Sequence, residues 1–163
     1  HYFQSVWSGP PAKEKIKVFI GFKNSEATPG LGQPLPKGIV RVYKRDKSGG
    51  RQFLGEDEIE HTPRDERLRI RIGDAFDVVG ERKQMDYKQI GSCQSESAWQ
   101  IDLRNHKGEK VEVDVVEPAS GDWEIVSSSH KATKDDAQSF RFRVSVPAQG
   151  SARIEYRVRI RWC

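Results

Sequence analysis

The sequence predicts an all-β protein, an antiparallel two-sheet β-sandwich of about nine strands with little or no helix. Apolar residues occupy every second position over long stretches, most cleanly in Ala152-Arg153-Ile154-Glu155-Tyr156-Arg157-Val158-Arg159-Ile160-Arg161-Trp162. That period of two is a strand with one buried and one wet face. Short segments rich in Gly, Pro and Ser separate the stretches, and no stretch holds helical spacing. A charged content of 32% and a mean hydropathy of −0.76 fit this pattern, because half of each strand faces water.

The chain of 163 residues suits one domain, or two very small ones, and is long enough to bury a core without staples. Residues 1–5 (His1-Tyr2-Phe3-Gln4-Ser5) read as the remnant of an engineered protease-cleavage tag, and residues 6–14 as a lead-in. Residues 15–163 read as a single sandwich domain, a fragment of a larger protein. Lys+Arg 28 against Asp+Glu 24 leaves +4, too small and dispersed an excess for a nucleic-acid binder. No apolar run approaches the ~20 residues of a membrane span.

The first strand carries Ile16, Val18, Ile20 and Phe22 on one face, and a Gly- and Pro-rich loop runs from Asn24 to Gly38. Ile39 to Arg45 is a strand, and Asp46-Lys47-Ser48-Gly49-Gly50 is a turn. Phe53–Glu60 and Arg67–Ile72 read as a hairpin in which Glu60, Glu58 and Glu56 oppose Arg67, Arg69 and Arg71, with Ile59 meeting Leu68 inside. Phe76 to Tyr87 follows as a long strand that turns polar at Arg82, Gln84 and Asp86, then a loop from Ile90 to Glu96. A second hairpin sets Leu103 against Val111 around His106-Lys107-Gly108. Trp123 and Ile125 mark a short strand. The last hairpin pairs Phe140, Phe142, Val144 and Val146 with Ile154, Tyr156, Val158 and Ile160 about Pro147–Ser151.

Candidate chemistry is sparse. Glu56, Glu58 and Glu60 form a row along a strand, which suits a charge ladder better than the converging oxygens that a calcium ion needs. His61, His106 and His130 show no metal-ligand spacing; His61 and His106 are the loop candidates for a functional role. Ser127-Ser128-Ser129-His130 sets hydroxyls beside an imidazole, but a catalytic triad is a spatial arrangement, and there is no Gly-x-Ser-x-Gly elbow. No cofactor, metal or catalytic residue is expected. Cys93 in a polar loop and the distant Cys163 are expected as free thiols. Trp99 and Trp162 fall in the core phase of their strands, while Trp7 and Trp123 are less constrained.

The outward positions of the last two strands carry the sharper signal. Arg141 and Arg143 on one, with Arg153, Arg157, Arg159 and Arg161 on the other, are opposed in their own segments by Glu155 alone. Two outcomes are open. A neighbouring strand supplies Glu112 and Asp114, or Arg141, Arg143, Arg157 and Arg159 form a face that binds an anion or a partner.

Several motifs taken together resemble a known family. They are Leu35-Pro36-Lys37-Gly38-Ile39-Val40-Arg41-Val42-Tyr43-Lys44, Gly55-Glu56-Asp57-Glu58-Ile59-Glu60-His61-Thr62-Pro63, and Gly73-Asp74-Ala75-Phe76-Asp77-Val78 with Glu81-Arg82-Lys83. Arg104-Asn105-His106-Lys107, Val116-Glu117-Pro118 and Tyr156-Arg157-Val158 complete the set. In this order, from about Ile16 to Trp162, they resemble the C-terminal domain of the bacterial mucoidy inhibitor A family, a domain without an established activity. The resemblance implies a larger parent with an N-terminal domain and a helical, coiled-coil-like region, and a periplasmic or cell-envelope setting. The family name adds a link to exopolysaccharide overproduction, and there are no catalytic residues to carry over. The expected function is a non-enzymatic interaction module that engages a protein partner or a second copy through its parent. A carbohydrate-binding module is the alternative, and a hydrolase using the His61 or His130 loops the third reading.

Overall fold

A computed structural model describes residues 2–4, 12–45 and 48–163. Trp7, most of the lead-in and two residues of the Asp46–Gly50 turn lie outside the described residues. The described chain is all-β and without helix. Eleven strands follow in order: β1 (Tyr2–Gln4), β2 (Ala12–Lys23), β3 (Gly38–Arg45), β4 (Arg51–Ile59), β5 (Arg67–Gly91), β6 (Gln94–Asn105), β7 (Val111–Pro118), β8 (Asp122–Ser128), β9 (Ala132–Asp136), β10 (Ser139–Val146) and β11 (Gly150–Arg161). The hydrogen-bonded order is β8-β11-β6-β5-β2-β1-β7-β10-β9, with β3-β4 a separate ribbon. Pairing is antiparallel in the β3–β4, β5–β6, β6–β11, β8–β11, β7–β10 and β9–β10 ladders; β1, in the segment expected to be a tag, lies parallel to β7.

Two compact units are distinguished, one of Lys17–Asp74 and one built from Ala75–Cys163 with the residues up to Ile16. The strands expected separately at Arg67–Ile72 and Phe76–Tyr87 are one continuous strand, β5, which contributes to both.

In the Lys17–Asp74 unit, Leu68 and Ile70 are buried and alternate with exposed arginines. The hairpin expected between residues 53–60 and 67–72 does not form. β4 pairs instead with β3, setting Arg41 opposite Glu56 and Ile39 opposite Glu58. The acidic row is accordingly met by other cations: Arg41 holds Glu56 at 2.9 Å, and Lys37 holds Glu60 at 2.9 Å and Glu58 at 3.7 Å. Arg71 donates its backbone N–H to Asp57 and its guanidinium to Asp74. Alternation fixed the faces of these strands but could not choose between two basic neighbours.

One side chain organises the long loop of this unit. Asn24 is fully buried, and its Nδ2 donates to the carbonyls of Gln33 and Pro63 while its Oδ1 accepts from the Gly32 N–H. Its backbone N–H donates to the Glu66 carbonyl, and its carbonyl accepts from the Asp65 N–H. A buried amide is tolerated because its hydrogen-bonding groups are used.

In the Ala75–Cys163 unit one core gathers inward residues from two groups of strands. Ile101 and Leu103 of β6 with Ile154, Tyr156 and Val158 of β11 meet Val111, Val113 and Val115 of β7 and Phe140, Phe142, Val144 and Val146 of β10. Phe140 sits edge-on to both Phe142 and Tyr156, with ring centroids 5.6 and 5.3 Å apart. The inward residues match the sequence reading, but the two hairpins expected there are absent. β6 pairs with β5 and β11, whereas β7 pairs with β1 and β10. β10 likewise pairs with β7 and β9, not with β11. Apolar residues in the same phase can meet as hairpin neighbours or share a core without sharing a ladder, and here they do the second.

Buried Asn105 ties the two crossing connections together. Its Nδ2 donates to the carbonyls of Glu109 and Pro147, and its Oδ1 accepts from the Lys107 N–H. Gln149, at φ 50°, adds bonds from its backbone N–H to the Lys107 carbonyl and from Nε2 to the His106 carbonyl. β9, a segment for which no strand was expected, pairs with β10 as an edge strand.

β4 crosses close to β5 at Gly55, where a Cβ would lie 2.3 Å from the backbone oxygen of Ile72. Gly55→Ala should lower the urea midpoint of the Lys17–Asp74 unit by the equivalent of about 2 kcal/mol, a cost typical of overpacking. Gly38→Ala, where a Cβ meets nothing within 4 Å, should leave it nearly unchanged.

Candidate functional site

The inner face of β5, β6 and β11 changes character along its length. At one end it carries Val78, Ile101, Leu103 and Ile154, all buried in the core. Toward the β5–β6 turn the same face carries Arg82, Gln84 and Tyr87 on β5, Ser95, Ser97 and Trp99 on β6, and Val158 and Ile160 on β11. These residues, with Pro118, Ser120, Tyr156 and Trp162, line a cleft of about 390 Å3. Tyr87 reaches it because the β5 ladder slips by one residue: Gln84 faces Trp99, but Asp86 faces Ala98 and Tyr87 faces Ser97. Met85 is the extra residue of this bulge, which sends Asp86 outward and Tyr87 inward.

A charged cluster forms the cleft's floor. Glu117 is fully buried, and its Oε2 accepts from Arg82 Nε at 2.9 Å and from the Tyr156 hydroxyl in a short bond. The Arg82 guanidinium lies 3.3 Å from the centroid of the Trp99 ring. Trp99 in turn donates its Nε1–H to Ser97 Oγ at 2.9 Å. Burial and the neighbouring Glu117 charge push the Tyr156 phenol well above its ordinary range.

A disulfide between Cys93 and Cys163 closes the turn end of the cleft, with Cα atoms 5.7 Å apart. This corrects the expectation of free thiols: seventy residues separate the two in sequence, but β11 runs antiparallel beside β6 and brings Cys163 back to the β5–β6 turn. The Trp162 N–H donates to the Cys93 carbonyl in the same place. Trp162, expected in the core, is 51% exposed at the cleft's rim, while Trp99 packs against the core as expected and Trp123 packs at a tilt against Phe140.

The arginines singled out from sequence all have acidic neighbours within the chain. Arg143 grips Asp114 through two bonds of 2.8 and 3.1 Å, and Arg141 reaches Asp135 and Asp114. On β11, Arg157 pairs with Asp86 and Glu96, Arg159 with Glu96 and Glu124, and Arg153 with Asp102. Of the two acids expected opposite them, Asp114 bonds Arg143 directly, and the Glu112 charge also acts on Arg143 while lying 3.8 Å from Lys110. The hydrogen bond from Arg157 holds the Asp86 carboxyl below the usual range. The Arg141 Nε is buried and lacks a hydrogen-bond partner.

The histidines are not brought together with a catalytic set. His61 accepts the Lys37 N–H at Nδ1 beside a shallow hollow lined by Pro34, Leu35, Pro36, Thr62 and Pro63. His106 is engaged through its backbone. His130 Nδ1 lies 2.9 Å from Ser129 Oγ, which also accepts the Glu155 N–H. Among the described residues no three His, Cys, Asp or Glu side chains group as a metal site. No helix among them is long and apolar enough to cross a membrane.

Sequence reasoning passed over Arg82, Glu117 and the Tyr156 hydroxyl, though a signal existed. Glu117 continues the inward phase of Val111, Val113 and Val115, and an inward carboxylate demands a cation and a donor. The chain matches no family model, no curated protein and no solved structure.

Glu117→Gln should destabilise the protein by about 3–5 kcal/mol, because it strands a buried guanidinium, and Tyr156→Phe by about 2 kcal/mol. Above pH ~10 the unfolded phenol releases its proton before the folded one, so stability should fall as pH rises, and less steeply in Tyr156→Phe. Denaturant titrations at pH 7 to 11 measure both effects. Without reductant a denatured sample should show no free thiol, and reduction should cost about 4 kcal/mol for a closed loop of this length.

Proposed function

We propose that this chain is a non-enzymatic binding module of a larger bacterial multidomain protein, and that its Ala75–Cys163 unit is a two-sheet sandwich whose ligand enters the cleft. The carrying observation is the cleft itself: its volume falls in the roughly 300–1,000 Å3 range of small-molecule sites, with a few polar groups on an apolar wall. The internal pairing of Arg141, Arg143, Arg157 and Arg159 favours the cleft over the arginine face as the recognition element. The resemblance to the mucoidy inhibitor A family supports the larger parent and the envelope setting. A protein partner or self-association through that parent fits the module as well as a small ligand does.

A hydrolase reading would rest on Ser129 and His130, whose Oγ and Nδ1 lie 2.9 Å apart. NMR screening of the intact chain with a fragment library separates the two. Shifts should gather on the indole N–H of Trp99 and Trp162 and on the Tyr87 amide. Shifts confined to Ser129 and His130, together with turnover of a chromogenic ester lost in His130→Ala, would replace the binding module with an enzyme. Arg157→Ser and Arg159→Ser should lower the thermal midpoint and leave the cleft shifts in place.

A further inference from the structure

We infer that the cleft takes an uncharged saccharide, stacked on Tyr87 and Trp162 and held by side-chain hydroxyl and amide groups; this rests on the binding-module reading above. Charge argues first. Among the described residues Arg82 is the one ionised side chain in the lining, and Glu117 beneath it already compensates its charge at 2.9 Å. An anionic ligand would meet a spent cation, and a cationic one would meet Arg82. A neutral ligand meets no penalty.

The wall then defines the chemistry. Tyr87 and Trp162 are 58% and 51% exposed, so flat aromatic surface stays open to a ligand at the mouth. Trp99, by contrast, already has Arg82 over its ring. Between these walls stand the hydroxyls of Ser95, Ser97 and Ser120 and the amide of Gln84. Each can both donate and accept, and Ser97, which accepts from Trp99, keeps its own O–H to give. An apolar face ringed by groups of mixed donor and acceptor character is the complement of a sugar ring, with its C–H faces and equatorial hydroxyls. A volume of about 390 Å3 suits a short glycan.

An extended peptide is the main competitor, and the backbone argues against it. The floor strand β6 is paired on both sides, with β5 and with β11, and β11 is paired again with β8. The floor therefore offers no free strand edge for an added strand to bond.

The test is titration of the intact, oxidised chain with neutral trimers of glucose, mannose and N-acetylglucosamine, with uronic-acid trimers, and with a panel of tetrapeptides. It is read by the Trp162 and Trp99 indole resonances and by tryptophan fluorescence. The expected result is saturable binding of at least one neutral trimer that shifts Trp162 and weakens about tenfold or more, roughly 1.4 kcal/mol, in Trp162→Ala and in Tyr87→Ala. Two variants are used because they remove two different aromatic walls; the backbone bond from the Trp162 N–H to the Cys93 carbonyl is kept in Trp162→Ala. Uronic acids binding more tightly than every neutral trimer, or cleft shifts with peptides only, would overturn the saccharide and keep the binding module. No cleft shift with any of these probes or with the fragment library would remove both.

Discussion

A carboxylate inside an apolar layer is the constraint on which the Ala75–Cys163 unit turns. The alternation that buries Val111, Val113 and Val115 leaves Glu117 no choice of side, so β7 brings a charge to the end of the core. Arg82 from β5 and the Tyr156 hydroxyl from β11 converge on one oxygen of that group, and the Trp99 ring from β6 covers the guanidinium. Four strands must therefore keep mutual register for one buried charge to be satisfied. A slip of one residue in any of them turns its side chain to the other face and exposes the full desolvation cost. Packing of valines and phenylalanines tolerates rearrangement; a buried ion pair with a third hydrogen-bonded partner does not.

The same cluster marks where the core stops and the cleft begins. On its apolar side the inner face is sealed by Phe140, Phe142 and Ile154. On its polar side the strands continue past the cluster with serines and a glutamine, residues too small or too polar to draw a covering layer over themselves. A wall of this composition stays concave, and a concavity with hydrogen-bonding groups on rigid strands is the usual form of a ligand site.

Much of this was written in the sequence, in a form that fixed faces and left neighbours open. The inward residues of β6, β7, β10 and β11 follow from alternation alone, as do the positions of β3, β4 and β8. Pairing did not follow, because Leu103 and Val111, or Phe142 and Tyr156, satisfy the hydrophobic pattern equally as hairpin neighbours and as facing layers. The structure does not pair them as hairpin neighbours, and Asn105 bonds Lys107 and Glu109 on one connection and Pro147 on the other. The acidic row at Glu56, Glu58 and Glu60 misled for the same reason: Arg41 and Lys37 serve it as well as Arg69 and Arg71 would. Cys93 and Cys163 could be joined only once β11 was known to return along β6.

The extra residue in β5 has an evolutionary corollary. Every side chain of that strand beyond Met85 is assigned to its face by chain length and not by chemical type. Deleting one residue there would hand Asp86 to the concave wall and Tyr87 to the convex one, replacing an aromatic shelf by a carboxylate. The core upstream of Gln84 would keep its pattern. Descendants of this fold thus have a route to a differently lined cleft through single-codon insertion or loss in one strand, with little disturbance to the interior that keeps the molecule folded.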